Sequence, residues 1–279
     1  MGAEEYGVES EIIRATELRV KPCKGCEACS MALMRGGESR CVIKDDDVEW
    51  ILEKTLVEDS ALIVSVPIYL LSTSGYLKII TDRMLATMYR RPEIIKKTRI
   101  GGIIAVGAGG PERTPLGLIM ANIFVQHTRK VVDQVQINNL GRPRGALGKP
   151  EALSRARELG RNVARSMSLP IEEVKYLGKD TAVACPVCHC NILQVPDKLP
   201  EVFCPVCWVR GAISMEGDKM TVKWNPADTE HARLTEYSLG KHMEFLTNMS
   251  KGFPKPDPRQ DQEKDLLDKY IAYEKTIKP

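Results

Sequence analysis

Several absences narrow the reading of this 279-residue chain before any motif is weighed. No uninterrupted apolar run approaches the ~18 residues a membrane-spanning helix needs, and the opening MGAEEYGVES is acidic, without the basic-then-apolar plan of a secretory signal. Charge of one sign is scarce too: a net charge of +3 is too mild to argue for nucleic acid or a membrane surface. Histidine is rare, with four in the chain, and neither a Ser/His/Asp constellation nor a paired-carboxylate pocket motif is visible, so hydrolytic chemistry has no support. Gly107-Ala108-Gly109-Gly110 does not complete G-x-G-x-x-G, because Pro111 and Glu112 follow, which weakens a dinucleotide loop.

Cysteine is what the chain has. The stretch KPCKGCEACSMALMRGGESRC holds Cys23, Cys26, Cys29 and Cys41 as C-x2-C-x2-C-x11-C. Three thiolates at two-residue gaps wrap one face of a metal group, and a fourth arriving from further along closes the shell. Four sulfur ligands are what a [4Fe–4S] cube requires. A structural zinc site more often pairs two separate C-x2-C knuckles, so the third close cysteine favours iron–sulfur over zinc. Nine cysteines grouped into C-x2-C units read as metal ligands in a reducing cytosol, not as disulfides, with Cys190 left over.

The first two-thirds of the chain alternates strand and helix patterns. A short strand is expected over residues 9–15, and Asp45-Asp46-Asp47 should cap a helix to about residue 57. Residues 61–66 form a run that is apolar on both faces, as in a buried parallel strand. Helix is expected over 74–88, strand over 100–106, helix over 116–130, strand over 131–137 and helix over 151–168. This alternation is that of an α/β doubly wound parallel sheet, whose ligands sit beyond the carboxyl ends of the strands. The loops at Pro67-Ile68-Tyr69 and at Gly107 should therefore share one pocket. The first offers amides, hydroxyls and an aromatic ring to a flat heteroaromatic ligand; the second lets backbone approach a ring closely. Trp50 and Tyr76 read as core or packing residues.

Further on, Cys185, Cys188, Cys204 and Cys207 form two C-P-V-C knuckles fifteen residues apart. That spacing signals tetrahedral four-thiolate coordination. A zinc ribbon is the first reading, with a hairpin over 211–224 turning at Glu216-Gly217-Asp218; rubredoxin-like iron stays open, since all-sulfur tetrahedral sites accept either metal. Lys and Arg do not gather around the knuckles, which argues against nucleic acid. An amphipathic helix is expected over 228–250, a break at Pro254, Pro256 and Pro258, and a charged helix over 261–275. His231 and His242 read as surface residues, and His127 as a helix residue near the sheet.

Together PCKGCEAC, CVIKDDD, SVPIYLLSTSGYLKIITDR and the glycine turn after IIAVGAGG resemble the iron–sulfur flavoprotein branch of the NAD(P)H-dependent FMN reductase family. The likeness covers roughly residues 5–170 and implies a flavodoxin-like fold. It implies FMN against Pro67, Ile68 and Tyr69 on one side and Ala108, Gly109 and Gly110 on the other. It also implies a [4Fe–4S] cluster on Cys23, Cys26, Cys29 and Cys41, often exchanging electrons across a subunit interface. The gap before Cys41 is longer than the family's usual one and reads as an insertion. The family's opening strand and phosphate loop are absent from this sequence. The expectation is that Met1 is an internal methionine with roughly 30 residues upstream, about one strand–loop–helix unit; the rival is a genuine truncation that cannot hold FMN unaided.

The resulting expectation is a cytoplasmic oxidoreductase with FMN, a [4Fe–4S] cluster, and zinc or rubredoxin-type iron. It would link a two-electron donor such as NAD(P)H to one-electron carriers such as ferredoxin. A homo-oligomer is expected, with neither nucleic acid nor membrane as partner. The domains expected are 1–175 for flavin and cluster, 180–226 for the ribbon and 227–279 for C-terminal helices and tail. The alternative is a non-catalytic metal-binding scaffold or regulatory protein that has lost flavin.

Overall fold

The run of β-branched and aliphatic residues after Ala61 pairs into the sheet, but not as the strand buried on both faces that its composition suggests: Val66 and Ile68 are buried, whereas Ile63, Ser65 and Pro67 on the other face lie exposed. In the computed structural model, which describes residues 1–142, 144–249 and 260–272, the chain gives α1 (Ala28–Met34) and α2 (Val48–Leu52, continued by a π-helical turn, Glu53–Val57) before the first strand. Then come β1 (Leu62–Tyr69), β2 (Ser72–Thr73), α3 (Gly75–Thr81), α4 (Met84–Arg90), β3 (Arg99–Gly107), α5 (Ile119–Gln126), β4 (Arg129–Ile137) and α6 (Pro150–Met167). The sheet order is β2-β1-β3-β4. β3 runs parallel to both neighbours, with Ile103 opposite Val64 on one side and Gln134 on the other.

Side chains alternate across this sheet with the period of two that a strand imposes. Ile103 and Ala105 join the main core beneath α2, α3, α4 and α5. Ile100 and Val132 face the other way, against Leu159 and Val163 of α6. Helices on both faces of parallel strands are the doubly wound arrangement that the alternating pattern predicts.

Other expectations are corrected as well. Residues 9–15 do not form a strand: this extended segment has no ladder partner among the described residues, and unpaired backbone is not a strand. Its apolar residues divide, Ile13 packing on the core and Ile12 lying 84% exposed. The helix expected over 74–88 breaks at Asp82–Arg83, where Arg83 turns inward. Trp50 and Tyr76 are exposed, not core. Each lies off its helix's buried stripe, which is Val48, Ile51 and Leu52 on α2 and Leu77, Ile80 and Thr81 on α3.

The ribbon is a three-stranded antiparallel sheet of β5 (Glu201–Phe203), β6 (Arg210–Glu216) and β7 (Lys219–Trp224). Glu216 pairs with Lys219, so the β6–β7 hairpin turns at Gly217-Asp218 as the sequence suggests. The single helix expected over 228–250 is instead α7 (Pro226–Glu230) and α8 (Glu236–Met249). The break comes where Ala232 and Leu234 bury against the ribbon cysteines, while Leu239 of α8 enters the main core. His231 and His242 are exposed. The last helix is α9 (Gln260–Ala272); Pro254, Pro256 and Pro258 and the expected end of that helix lie outside the described residues. Among the described residues no helix is long and apolar enough to cross a membrane.

Candidate functional site

Cys23, Cys26, Cys29 and Cys41 line one hollow, together with Ile43, Arg83 and Ala86. Gly25, between the first two cysteines, sits at φ 64°, a left-handed turn that favours glycine, and its N–H lies 3.5 Å from the Cys23 sulfur. Cys29 falls in the first turn of α1, and the rest of this helix, through Met34, takes up five of the eleven residues before Cys41. Cys23 and Cys26 are exposed, and Cys29 and Cys41 half-buried.

The Asp45-Asp46-Asp47 triad clasps the segment that leads into the cysteines. Asp47 Oδ2 accepts from Arg19 N at 2.7 Å, Asp46 Oδ2 from Lys21 N at 2.9 Å, and Asp45 pairs with the Lys21 ammonium. α2 starts after Asp47 as expected, yet the Asp47 side chain makes no capping bond. Asp46 also pairs with Arg83, with both side chains almost fully buried. Burial works to raise the Asp46 pKa, but Arg83 and the Lys21 amide outweigh it and hold the carboxyl below its ordinary range. Burial works against the Arg83 cation as well, and the Asp46 carboxylate and Cys41 sulfur hold it above its ordinary value.

The Pro67-Ile68-Tyr69 and Gly107 loops, expected from the sequence to share a pocket, meet at the carboxyl ends of β1 and β3. Leu116 N donates to Leu71 O at 3.0 Å, and Leu140 N to Gly107 O at 2.8 Å, so the Pro67 loop, the Gly107 turn and the chain after β4 are tied together. Pro67, Tyr69 and Ala108 are exposed, and Gly109 and Gly110 half-buried. Ile68 differs: strand alternation buries its side chain to 6% exposure, which leaves its backbone as the part able to border a ligand. A Cβ on Gly107 would run into the Thr114 methyl. Thr114 in turn donates to Gly110 O at 2.9 Å, and Gln136 Nε2 donates to Thr114 Oγ1 at 2.9 Å. Leu70 and Leu71 were not singled out by sequence. Both take left-handed backbone, at φ 46° and 74°, and Leu70 is 98% exposed. Strained, solvent-facing leucines at a loop tip point to a surface meant to be covered.

The ribbon sulfurs of Cys185, Cys188, Cys204 and Cys207 lie within 4.8 Å of one another, all fully buried. Two equivalent backbone loops bring them there. Cys185 N donates to Cys190 O and His189 N to Cys185 O, each at 2.9 Å; nineteen residues on, Cys204 N donates to Val209 O at 2.9 Å and Trp208 N to Cys204 O at 2.8 Å. His189 and Trp208 occupy the matching left-handed positions, at φ 58° and 63°. Cys190 thus corresponds to Val209 of the second loop, a position that supplies no ligand. Sulfurs this close compete for protons: hydrogen bonds from the neighbouring thiols drive Cys204 below the ordinary thiol range, and those with Cys185 push Cys188 above it. Such a set suits a single soft divalent ion. His189 is not a candidate ligand by contact: it stacks on Tyr176 with centroids 3.4 Å apart, and its Nδ1 lies 2.9 Å from Asp180 Oδ2.

Three buried amides hold the first knuckle on the α/β sheet. Asn122 Nδ2 donates to Cys188 O at 2.9 Å, Gln126 Nε2 to Val187 O at 3.3 Å and Gln134 Nε2 to His189 O at 3.1 Å. Ile119 and Ile123 of α5 pack on the ribbon cysteines. None of these polar residues stood out in sequence, because an isolated Asn or Gln in an apolar run carries no spacing signal.

No family model matches the chain. An iron–sulfur flavoprotein of Methanocaldococcus jannaschii is 31% identical over 182 residues, which are 63% of this chain and 85% of that protein. Another iron–sulfur flavoprotein, from Methanosarcina thermophila, is 34% identical over 115 residues, 40% of this chain and 55% of that one, so the match spans about half of that relative. A solved structure titled flavone reductase superposes with a TM-score of 0.75 at 23% identity, covering 100% of this chain and 92% of that one. This likeness supports the flavodoxin-like fold.

Proposed function

The chain belongs to the iron–sulfur flavoprotein family, and from that premise we propose that it is a flavin-dependent oxidoreductase that moves electrons between a two-electron donor and one-electron carriers. The observation that carries this reading is the single hollow shared by Cys23, Cys26, Cys29 and Cys41. It brings four thiols together, and Arg83, whose Nε–H is buried and without a partner among the described residues, also lines it. We assign a [4Fe–4S] cluster to these four thiolates and FMN to the Pro67–Tyr69 and Ala108–Gly110 loops.

When bound, FMN takes two electrons as hydride and gives them up singly, while a [4Fe–4S] cluster passes one at a time. The chain's own residues do the positioning. Backbone at Pro67 to Tyr69 borders one side of the ring, and the Thr114–Gln136 network fixes the glycine turn on the other. Tyr69, Leu70 and Leu71 exclude water once covered. Ribbon thiolates Cys185, Cys188, Cys204 and Cys207 hold zinc in a structural role, with rubredoxin-type iron as the alternative. NAD(P)H is the proposed donor, a ferredoxin-class carrier the proposed acceptor, and a second copy of the chain the proposed partner. The units are 1–175, 180–226 and 227–279, working in the cytoplasm.

The test is anaerobic titration of FMN- and cluster-loaded protein with NADH or NADPH, followed in the visible spectrum. Bleaching of flavin and then of the cluster band, reversed by an oxidised one-electron carrier, is expected. Loaded protein whose spectrum is inert to both nicotinamides and to reduced ferredoxin contradicts the reading.

A further inference from the structure

Arg83 stands at the break between α3 and α4, and its side chain runs inward to the hollow of the four N-terminal cysteines. A guanidinium carries five N–H donors in a fixed fork. Nη1 donates to Lys21 O at 3.2 Å and to the Asp46 carboxylate, and Nη2 donates to Ile43 O at 3.1 Å. Lys21 lies two residues before Cys23 and Ile43 two after Cys41. One side chain therefore grips both ends of the ligand stretch. Nε is different: it is buried and has no hydrogen-bond partner among the described residues.

An orphaned buried N–H is unfavourable, and more so on a charged group. Nη1 and Nη2 each have an acceptor, so Nε is the one guanidinium nitrogen left without a partner among the described residues, and it is held close to Cys41. A sulfur acceptor in the hollow removes the penalty. Hydrogen bonds to cluster sulfurs and nearby charge are also the means by which a protein sets a cluster's potential.

We propose that Arg83 is the outer-sphere donor of the N-terminal centre, its Nε–H bonding a sulfur of the bound cluster while Nη1 and Nη2 lock the ligand stretch at Lys21 and Ile43. The inference rests on the reading of Cys23, Cys26, Cys29 and Cys41 as cluster ligands. Arg83 is a positioning residue: it acts through sulfur and makes the oxidised cluster easier to reduce, because an N–H donor and a positive charge both favour added negative charge. Asp46 holds the guanidinium plane in place and offsets part of its charge.

Replacing Arg83 alone strands Asp46 in the interior, so the informative pair is Asp46→Asn against Arg83→Gln/Asp46→Asn, which differ only at position 83. Cluster-reconstituted chains are compared by iron and sulfide content, by anaerobic redox titration and by electron paramagnetic resonance of the reduced cluster. The double variant is expected to reduce less readily than Asp46→Asn by about tenfold in the reduction equilibrium, about 59 mV for one electron, with an altered resonance line shape. Arg83→Lys, which keeps the charge and loses the fork, should fall between wild type and the double variant. Equal potentials and identical spectra for the pair, at equal cluster content, overturn the assignment. A wild-type chain that takes up no iron and sulfide overturns the functional reading and this inference with it.

Discussion

The side-chain amide of Asn122 donates to the carbonyl oxygen of Cys188 across 2.9 Å, so a ligand loop of the ribbon is bonded directly to the helix that follows the Gly107 turn. Gln134, on β4, also donates to Cys188 O, at 3.3 Å, and Gln136, two residues on and on the same face, supports the turn through Thr114. The four-thiolate centre is thereby held at a fixed place relative to the Gly107 turn, where we propose FMN binds. A ribbon that merely trailed behind the α/β sheet would need none of these contacts.

Asn122→Leu and Gln134→Leu should each loosen this joint. Each leaves knuckle carbonyls buried with fewer partners, a cost of about 1–3 kcal/mol. Hydrogen exchange at Cys185 to Cys190 should quicken, while ribbon metal content stays at the wild-type level. Unchanged exchange in the double variant would mean the amides do not hold the ribbon.

Cys204→Ser should cost the ribbon its metal and its fold together, because a tetrathiolate ion contributes folding energy outright. The unfolding midpoint falls, and residues 181–224 become protease-sensitive. Iron and sulfide at the N-terminal centre should remain. Loss of both would mean that the two centres fold as one unit.

Much of this was legible in sequence, for physical reasons. Residues 100–106 are apolar on both faces, and only a central parallel strand buries both, so β3 was readable. Paired C-P-V-C knuckles leave few alternatives to a tetrathiolate. The strand expected over 9–15 failed because a strand exists only with a ladder partner, and periodicity does not report partners. Trp50 and Tyr76 depart from expectation because aromatic character alone does not report burial: each stands off the buried stripe of its helix. Arg83 and Asp46 were hidden altogether: a charged pair 37 positions apart becomes meaningful only when the fold buries it.

Gly107→Ala tests the turn on the ring side. Its new methyl meets the Thr114 methyl, and Thr114 is only 1% exposed, so neither can move freely. FMN affinity should fall about tenfold or more, equivalent to about 1.4 kcal/mol, read by quenching of flavin fluorescence. Adding Thr114→Ser removes the obstructing methyl, keeps the hydroxyl and should restore most of the affinity. Equal affinity in wild type and Gly107→Ala would remove the turn from the flavin site.

Stability should depend on pH through His127. Burial holds its pKa below the ordinary value, only partly offset by the Nδ1 hydrogen bond to Ile123 O at 2.6 Å. The unfolded chain therefore binds this proton first as pH falls below about 6.5. Stability should decline from there until the lower folded-state pKa is reached, and stay level beneath it as far as His127 is concerned. His127→Gln should make the acid side of a plot of Tm against pH shallower. An unaltered slope would show that His127 protonates equally in both states.

The most direct test of the whole account is iron, sulfide, zinc and flavin content after anaerobic reconstitution, made on wild type and on Cys41→Ala. The account predicts about four irons and four sulfides with one FMN in wild type, a further single metal ion retained by the ribbon in both, and loss of the four-iron complement in Cys41→Ala. Zinc alone in wild type, with neither sulfide nor flavin, would contradict it.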